Sequence, residues 1–395
     1  MRILLFSICI TIIFSACDSS QKQNDFTTNN SIIPIEIITE IGKTDQPFEY
    51  QLGQPVAVRT DNEGNIYIAD RASLTVKVFD KQGTYLRSFG GRGRGPGEFM
   101  LINLMEIADS DGNLLFLDRG KLEFIFMNTE GDFISSYPID LSNQYYPKSV
   151  KIIENNTIGL QQNGEPRSNY PHPINRPLFY VYDTTLQQFN RSFLEFYELG
   201  YNAEEMFIWS SFLFYPGNFD IRNYQNKIIY SPGVYTGKLY EFAYTELDNW
   251  KLKRTITATP PLNLPYEIYK TEAEYERMSG IPGVNQIFFS GQPDWGRLYS
   301  VDAGIYYLDD ERIVQFYGEW RGGDISLEEG NTLDLFVQII EPEGEVAHHG
   351  FIKSLYMDSR PSLVLVNWKD ADDNFYLLNL PNDDVPTVIK FRLDL

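Results

Sequence analysis

Thiols are nearly missing from this chain. Its two cysteines, Cys9 and Cys17, both lie in the first seventeen residues. A domain built from the remainder has no thiol, which excludes disulfide staples, a cysteine nucleophile and thiolate metal sites. Histidine is almost as scarce, with His172, His348 and His349 the whole supply. Adjacent residues of an extended segment point to opposite sides, so His348 and His349 combine poorly, whereas a three-histidine zinc centre needs all three. Positive charge is short as well. Against 54 acidic residues stand 33 lysines and arginines, giving a formal net charge of -21 without any polybasic run. Such a chain repels phosphate backbones, which argues against nucleic acid as a partner. There is no Gly-x-Ser-x-Gly elbow for a hydrolase serine, and no motif asks for a cofactor.

Long hydrophobic runs are also missing, save one at the N-terminus. Arg2 supplies a positive start, Ile3 to Phe14 a short apolar stretch, and Ser15-Ala16 small residues before Cys17. This reads as a processing signal, too short to stay as a membrane-spanning helix. Residues 18 to 31 are rich in Ser, Thr, Asn and Gln, the composition of a flexible tether. The expected domains are therefore a signal peptide over 1–16, a tether over 17–31, and one folded body over 32–395.

What the body does have is a repeat. Asp61-Asn-Glu-Gly-Asn-Ile-Tyr-Ile-Ala-Asp70 returns as Asp109-Ser-Asp-Gly-Asn-Leu-Leu-Phe-Leu-Asp118, and Gly83 returns as Gly131, each 48 positions on. An offset held across two turns and two strands marks one sheet that buries its faces only against its neighbours. Within the unit, Pro55-Val-Ala-Val-Arg-Thr, Ile66-Tyr-Ile-Ala, Thr75-Val-Lys-Val-Phe and Thr84-Tyr-Leu-Arg-Ser-Phe alternate or run apolar between glycine turns, four strands in a meander. The fold class expected is an all-β, six-bladed β-propeller with four-stranded antiparallel blades. Strand clusters at 150–183, 226–242, 297–308 and 362–378 supply the four later blades. The segment Ile32 to Ile41 precedes the first clear blade and is expected to pair with the last, closing the ring. Pro265 to Met278 reads as a small helical insertion with Pro265 at its start, and Leu194 to Trp209 as a weaker one.

Two resemblances follow from these residues. Phe14-Ser15-Ala16-Cys17 resembles the lipobox of bacterial lipoproteins, which implies lipidation at Cys17. Pro55, Asp61, Gly64-Asn65-Ile66-Tyr67, Asp70, Val78-Phe79-Asp80, Gly83 and the run Phe89-Gly-Gly-Arg-Gly-Arg-Gly-Pro-Gly-Glu-Phe99 resemble NHL-type repeats, and more narrowly the six-bladed propeller lipoproteins of Bacteroidetes. The likeness implies a cell-envelope propeller without a defined chemistry; the location expected for it, with Cys17 lipidated, is the outer membrane, on either its periplasmic or its surface face.

Candidate sites are weighed on that frame. Gly90 to Gly97, with Arg92 and Arg94, offers N–H groups and cations to an anion, but the commoner use of such a run is an interblade crossover with the arginines pairing to carboxylates. Asp61-Asn-Glu-Gly-Asn lacks the ligand set of a calcium loop and reads as a hairpin turn. Asp70-Arg71 and Asp118-Arg119 each follow a strand and read as turn caps. Asp309-Asp310-Glu311, Asp370-Ala-Asp372-Asp373 and Asp383-Asp384 read as solvated turns. Trp209, Tyr215, Tyr266, Tyr269 and Tyr275 gather rings outside the repeat, suiting a carbohydrate, peptide or protein partner in the envelope. The function expected is a binding or scaffold module. Its rival is a calcium- or zinc-dependent hydrolase or lyase working in the propeller channel.

Overall fold

In the computed structural model, residues 1–30 and 31–395 form separate units. The structure describes residues 31–394 apart from 109–111, 140–146, 155–156, 163–176, 186, 201–216, 223–224, 246–248, 263–264, 270, 272, 274–283, 286–294, 321–331, 357–363 and 382–383.

Six four-stranded antiparallel sheets are present among these residues. Strand β1 (Ile35–Ile41) comes first but belongs to the last blade. Blade 1 is β2 (Pro55–Thr60), β3 (Ile66–Asp70), β4 (Thr75–Phe79) and β5 (Tyr85–Gly90); blade 2 is β6 (Ile102–Ile107), β7 (Leu114–Asp118), β8 (Glu123–Met127) and β9 (Phe133–Pro138). Blade 3 is β10 (Pro147–Glu154), β11 (Thr157–Gln162), β12 (Pro177–Asp183) and β13 (Gln188–Glu195); blade 4 is β14 (Asn218–Arg222), β15 (Lys227–Ser231), β16 (Lys238–Thr245) and β17 (Asn249–Thr257). A small sheet then intervenes, built of β18 (Tyr266–Tyr269), β19 (Val284–Asn285) and β20 (Trp295–Leu298) in the order β18-β20-β19. Blade 5 is β21 (Ser300–Tyr307), β22 (Ile313–Trp320), β23 (Thr332–Ile340) and β24 (Val346–Tyr356). Blade 6 is β25 (Val366–Lys369), β26 (Phe375–Asn379) and β27 (Thr387–Leu393), completed by β1. That pairing runs from Ile35 opposite Leu393 to Ile41 opposite Val388.

The first strand of each blade lies innermost, and β2, β6, β10, β14, β21 and β25 neighbour one another in a closed circuit. Burial follows from this. All six residues of β2 and all five of β3 are buried, because both faces of a blade pack on neighbours, whereas the outer β5 alternates between half-buried and exposed. Among the described residues six apolar clusters form, one at each interface between consecutive blades. Val76 and Tyr67 meet Ile102 and Phe116 between blades 1 and 2, and Ile41, Tyr376 and Leu378 meet Val58 and Ile66 between blades 6 and 1. Closing the ring removes the open face a partial ring would leave to water.

The repeated residues do repeated work. Asp70 accepts the N–H groups of Gly53 and Gln54, just before β2, and of Ala72. Asp118 likewise accepts those of Met100 and Leu101, just before β6, and of Gly120 and Lys121. Each buried carboxylate thereby ties the end of one strand to the entrance of the innermost strand, as turn caps. Gly83 and Gly131 hold positive φ of 86° and 92°. A side chain at Gly83 would meet Thr39 of blade 6 at 2.6 Å, and one at Gly131 would strike Phe89 of blade 1. Glycine serves both the turn and the close approach of the preceding blade.

Three expectations change. Tyr266 to Tyr269 is strand paired with Trp295 to Leu298, so the helix does not start at Pro265; tyrosine and isoleucine take an extended partner where one is offered. Arg297-Leu298 consequently belongs to the small sheet and not to blade 5. Leu194 and Glu195 are the last residues of strand β13 and a 3-10 turn, Phe196–Leu199, follows; residues 201 to 209 of that segment lie outside the described residues.

Candidate functional site

Polar or aromatic residues from all six innermost strands line the axial channel. At the C-terminal ends of these strands a cavity of about 300 Å³ opens, lined by Thr60, Glu106, Lys151, Asp220, Tyr307 and Trp368 together with the adjoining turns. Toward the N-terminal ends lies a much smaller space of about 40 Å³, lined by Ala57, Arg59, Met105, Phe219 and Asn367 among others. Lys151 and Tyr306 line both, and thus mark the floor between them.

That floor is an ion lattice. Arg59 holds Glu106 through two bonds, Nε to Oε1 at 3.1 Å and Nη2 to Oε2 at 3.0 Å. Lys151 Nζ stands 3.7 Å from Glu106 Oε2 and 3.6 Å from Asp220 Oδ1, while Asp220 Oδ2 accepts the Tyr307 N–H at 2.9 Å. Arg59 also donates to Asn367 Oδ1. Both cations lie over the Trp368 ring, at 4.7 Å and 5.0 Å from its centroid, and the indole N–H donates to Thr60. Burial pushes the Tyr306 phenol well above its ordinary value, so it stays protonated and donates to the Val366 carbonyl. At the rim, Arg222 donates to the carbonyls of Leu308 and Asp309, and Lys369 to Asp373.

Two cations and two carboxylates in contact leave the floor electrically matched. Buried pairs of this kind are costly to part, since each partner would be left as an uncompensated charge. The rival expectation of a carboxylate site for calcium meets the same fact. Glu106 and Asp220 do face the channel, but their oxygens are already turned to Arg59, Lys151 and the Tyr307 N–H. Among the described residues no group of three or more His, Cys, Asp or Glu side chains is placed to hold a metal ion.

Histidine is not in the channel lining described here. His349 lies on β24, at the outer edge of blade 5, stacked on Tyr317 and Phe336 and sharing a hydrogen bond of 2.8 Å with the Tyr317 hydroxyl. Burial lowers its pKa. His348 is exposed on the opposite face of the strand, and His172 lies outside the described residues.

The other expected positions divide. The Gly90 to Phe99 run links β5 to β6 as an interblade crossover. Arg92 and Arg94 are exposed on it and make no ion pair among the described residues, a correction to the expected pairing. Glu98 instead accepts the Gly95 N–H at 2.7 Å, and a Cβ on Gly93 would collide with its carboxylate. The glycine cradle is thus filled by the chain's own anion. Tyr266 packs half-buried against the cluster between blades 3 and 4, and Tyr269 sits on β18 in register with Trp295. Cys17, Trp209, Tyr215 and Tyr275 lie outside the described residues.

One acidic turn is also corrected. Asp370 is buried, accepts N–H groups from Asp372 and Asn374 and the Tyr376 hydroxyl, and pairs with Lys390 at 3.3 Å. Asp61 does the same with Glu63, Asn65 and Tyr67. Blade 6 therefore repeats the first turn of blade 1, with Asp373 at a φ of 57° where blade 1 has Gly64 at 84°. Sequence reading missed Arg59, Glu106, Lys151, Asp220 and Trp368. The available signal was a charged residue inside an apolar innermost strand, with Arg59 and Glu106 spaced 47 apart, close to the repeat.

Fold and channel together define a six-bladed β-propeller with a plugged axis. Residues 46–162 match a family model, DUF5128, described as a 6-bladed beta-propeller. No curated protein matches the chain. Among solved structures, the chain is similar to a member of the DUF4221 family from Bacteroides vulgatus, with a TM-score of 0.55 at 9% identity, covering 93% of this chain and 99% of that one. A fainter likeness is to virginiamycin B lyase from Staphylococcus aureus, with a TM-score of 0.44 at 10% identity over 91% of this chain and 99% of that one. At such identities the likeness extends to the fold alone.

Proposed function

We propose that this protein is a lipid-anchored envelope propeller that binds a carbohydrate, peptide or protein partner rather than transforming it, and that its site is the axial cavity at the C-terminal ends of the inner strands. The observation that carries the binding role is the matched floor. Acid–base or metal chemistry asks for a group held ready to give a proton, take one or ligate, and here Glu106 and Asp220 are engaged by Arg59, Lys151 and the Tyr307 N–H. A rigid floor with polar and aromatic walls instead suits recognition. Membrane attachment rests on Phe14-Ser15-Ala16-Cys17 and the polar stretch after it. In this reading the membrane is the outer one and the partner belongs to the envelope.

Two measurements test it. Cys17→Ser should move the protein from the membrane to the soluble fraction; unchanged partitioning removes the anchor. Elemental analysis of the purified protein decides between the binding role and its rival, since stoichiometric, non-exchanging calcium or zinc would favour the hydrolase or lyase.

A further inference from the structure

We infer that the axial cavity takes a neutral polyhydroxyl ligand, a monosaccharide or the end of a longer sugar chain, seated on Lys151 and Asp220. This rests on the binding role proposed above and adds the ligand's chemical class.

The floor sets the charge of the ligand. Arg59 and Lys151 against Glu106 and Asp220 cancel, and a ligand with net charge would meet no unmatched partner there. To gain one it must draw half-buried Lys151 or Asp220 away from its present partner and leave the opposite charge uncompensated. A neutral ligand leaves the lattice whole.

Hydrogen-bonding capacity then sets its functional groups. Lys151 Nζ is beyond hydrogen-bond reach of both carboxylates, at 3.6 Å and 3.7 Å, and donates to no described residue. Its charge is compensated while its N–H donors remain unspent at the cavity floor. Asp220 Oδ1, whose contact is that same long one to Lys151, has accepting capacity left beside it. A donor and an acceptor side by side call for a group that both accepts and donates. A hydroxyl does this without carrying charge, and vicinal hydroxyls extend the pattern to the rim, where the Asp309 carboxylate is exposed.

The walls supply the remaining requirement. Tyr306, Tyr307, Trp368 and Ile221 line the cavity, giving carbon surface for the C–H face of a ring. A volume of about 300 Å³ is at the lower end of small-ligand sites, which sets the scale of a single sugar ring and excludes a folded peptide.

The test is calorimetric titration of the full chain with glucose, galactose, mannose and N-acetylglucosamine, beside glucuronate, glucosamine and glycylglycine as charged and zwitterionic counterparts. At least one neutral sugar should bind, and Lys151→Met should weaken it by about tenfold or more, the effect of one charge-assisted hydrogen bond. Asp220→Asn, which keeps an acceptor for the Tyr307 N–H, should weaken it similarly while the variant still unfolds in one cooperative transition, guarding against a Lys151 variant that fails to fold. Binding of glucuronate or glycylglycine alone would overturn the ligand class and leave the binding role intact. Sugar binding indifferent to both substitutions, or no neutral sugar binding at all, would overturn the assignment. Cleavage of a bound disaccharide would keep the ligand class and remove the binding-only role.

Discussion

Blades 1 and 2 and blades 4 and 5 reach the same four-stranded sheet by different means. In the first pair the fixing residues are local and repeated: Asp70 and Asp118 bind the backbone at matching places, and Gly83 and Gly131 turn the chain against the preceding blade. In the second pair the fixing residues are distant and unrepeated. Gln338 donates to Tyr235 and Gln315 and accepts the Thr259 N–H, Gln315 donates to Asp302, and Asp302 accepts from Asn218. Tyr235, Tyr317 and Phe336 stack beside this chain of amides, and both glutamines are fully buried. A blade can therefore be held by turn chemistry written within its own 48 residues, or by a polar network assembled across an interface. The second kind leaves no period in the sequence.

The contrast can be broken most severely at Asp118. Asp118→Ala strands four backbone donors around a fully buried site, and urea unfolding should show a loss of about 3 kcal/mol, with Asp118→Asn intermediate. A loss below about 1 kcal/mol would mean the cap is not what fixes blade 2. Gly131→Ala combines a strained positive φ with a collision on Phe89 and should cost about 2 kcal/mol by the same measurement. On the other side, Gln338→Leu leaves the Thr259 N–H and the Gln315 carbonyl oxygen without their partner and should cost about 2 kcal/mol. Full restoration by a second change, Gln315→Leu, would show that the network specifies little.

Smaller effects sharpen the picture. Tyr376→Phe should cost about 1 kcal/mol, and Tyr67→Phe rather less, because the Asp370 turn is buried and the Asp61 turn more open. Equal losses would put the two turns in one environment. A further effect is one of pH. Burial raises the Asp302 carboxyl from its ordinary value of 3.8 to about 7. The folded state then holds a proton that the unfolded state releases, so this group's contribution is fully present below about pH 4 and is lost as pH rises toward 7. Asp302→Asn should flatten the fall in the unfolding midpoint across that window. An unchanged slope would place the pH dependence elsewhere.

What the sequence showed and what it hid divide along the same line. The 48-residue offset, the glycine turns and the turn-capping of Asp70 and Asp118 were legible because each depends on residues near in sequence or on strict repetition, and the closing strand because an alternating segment left over before the first full blade has only the last one to join. Asp370 was misread as a solvated turn since Asp373 stands where Gly64 had signalled the hairpin, and an aspartate tolerates the left-handed region without advertising it. The strand at Tyr266 was misread because its partner, Trp295 to Leu298, lies beyond a long intervening segment.

By itself, then, the sequence determined the repeating unit, because turns and alternating strands obey rules that act within a few residues; it also offered the strand that closes the ring, and its composition left no thiol after Cys17. Only the tertiary structure decided the channel. Arg59, Glu106, Lys151, Asp220 and Trp368 come from five different blades, and what each does depends on the charge opposite it. Coulomb pairing and shared desolvation act through space across the axis, so no stretch of the chain records them until the ring has closed.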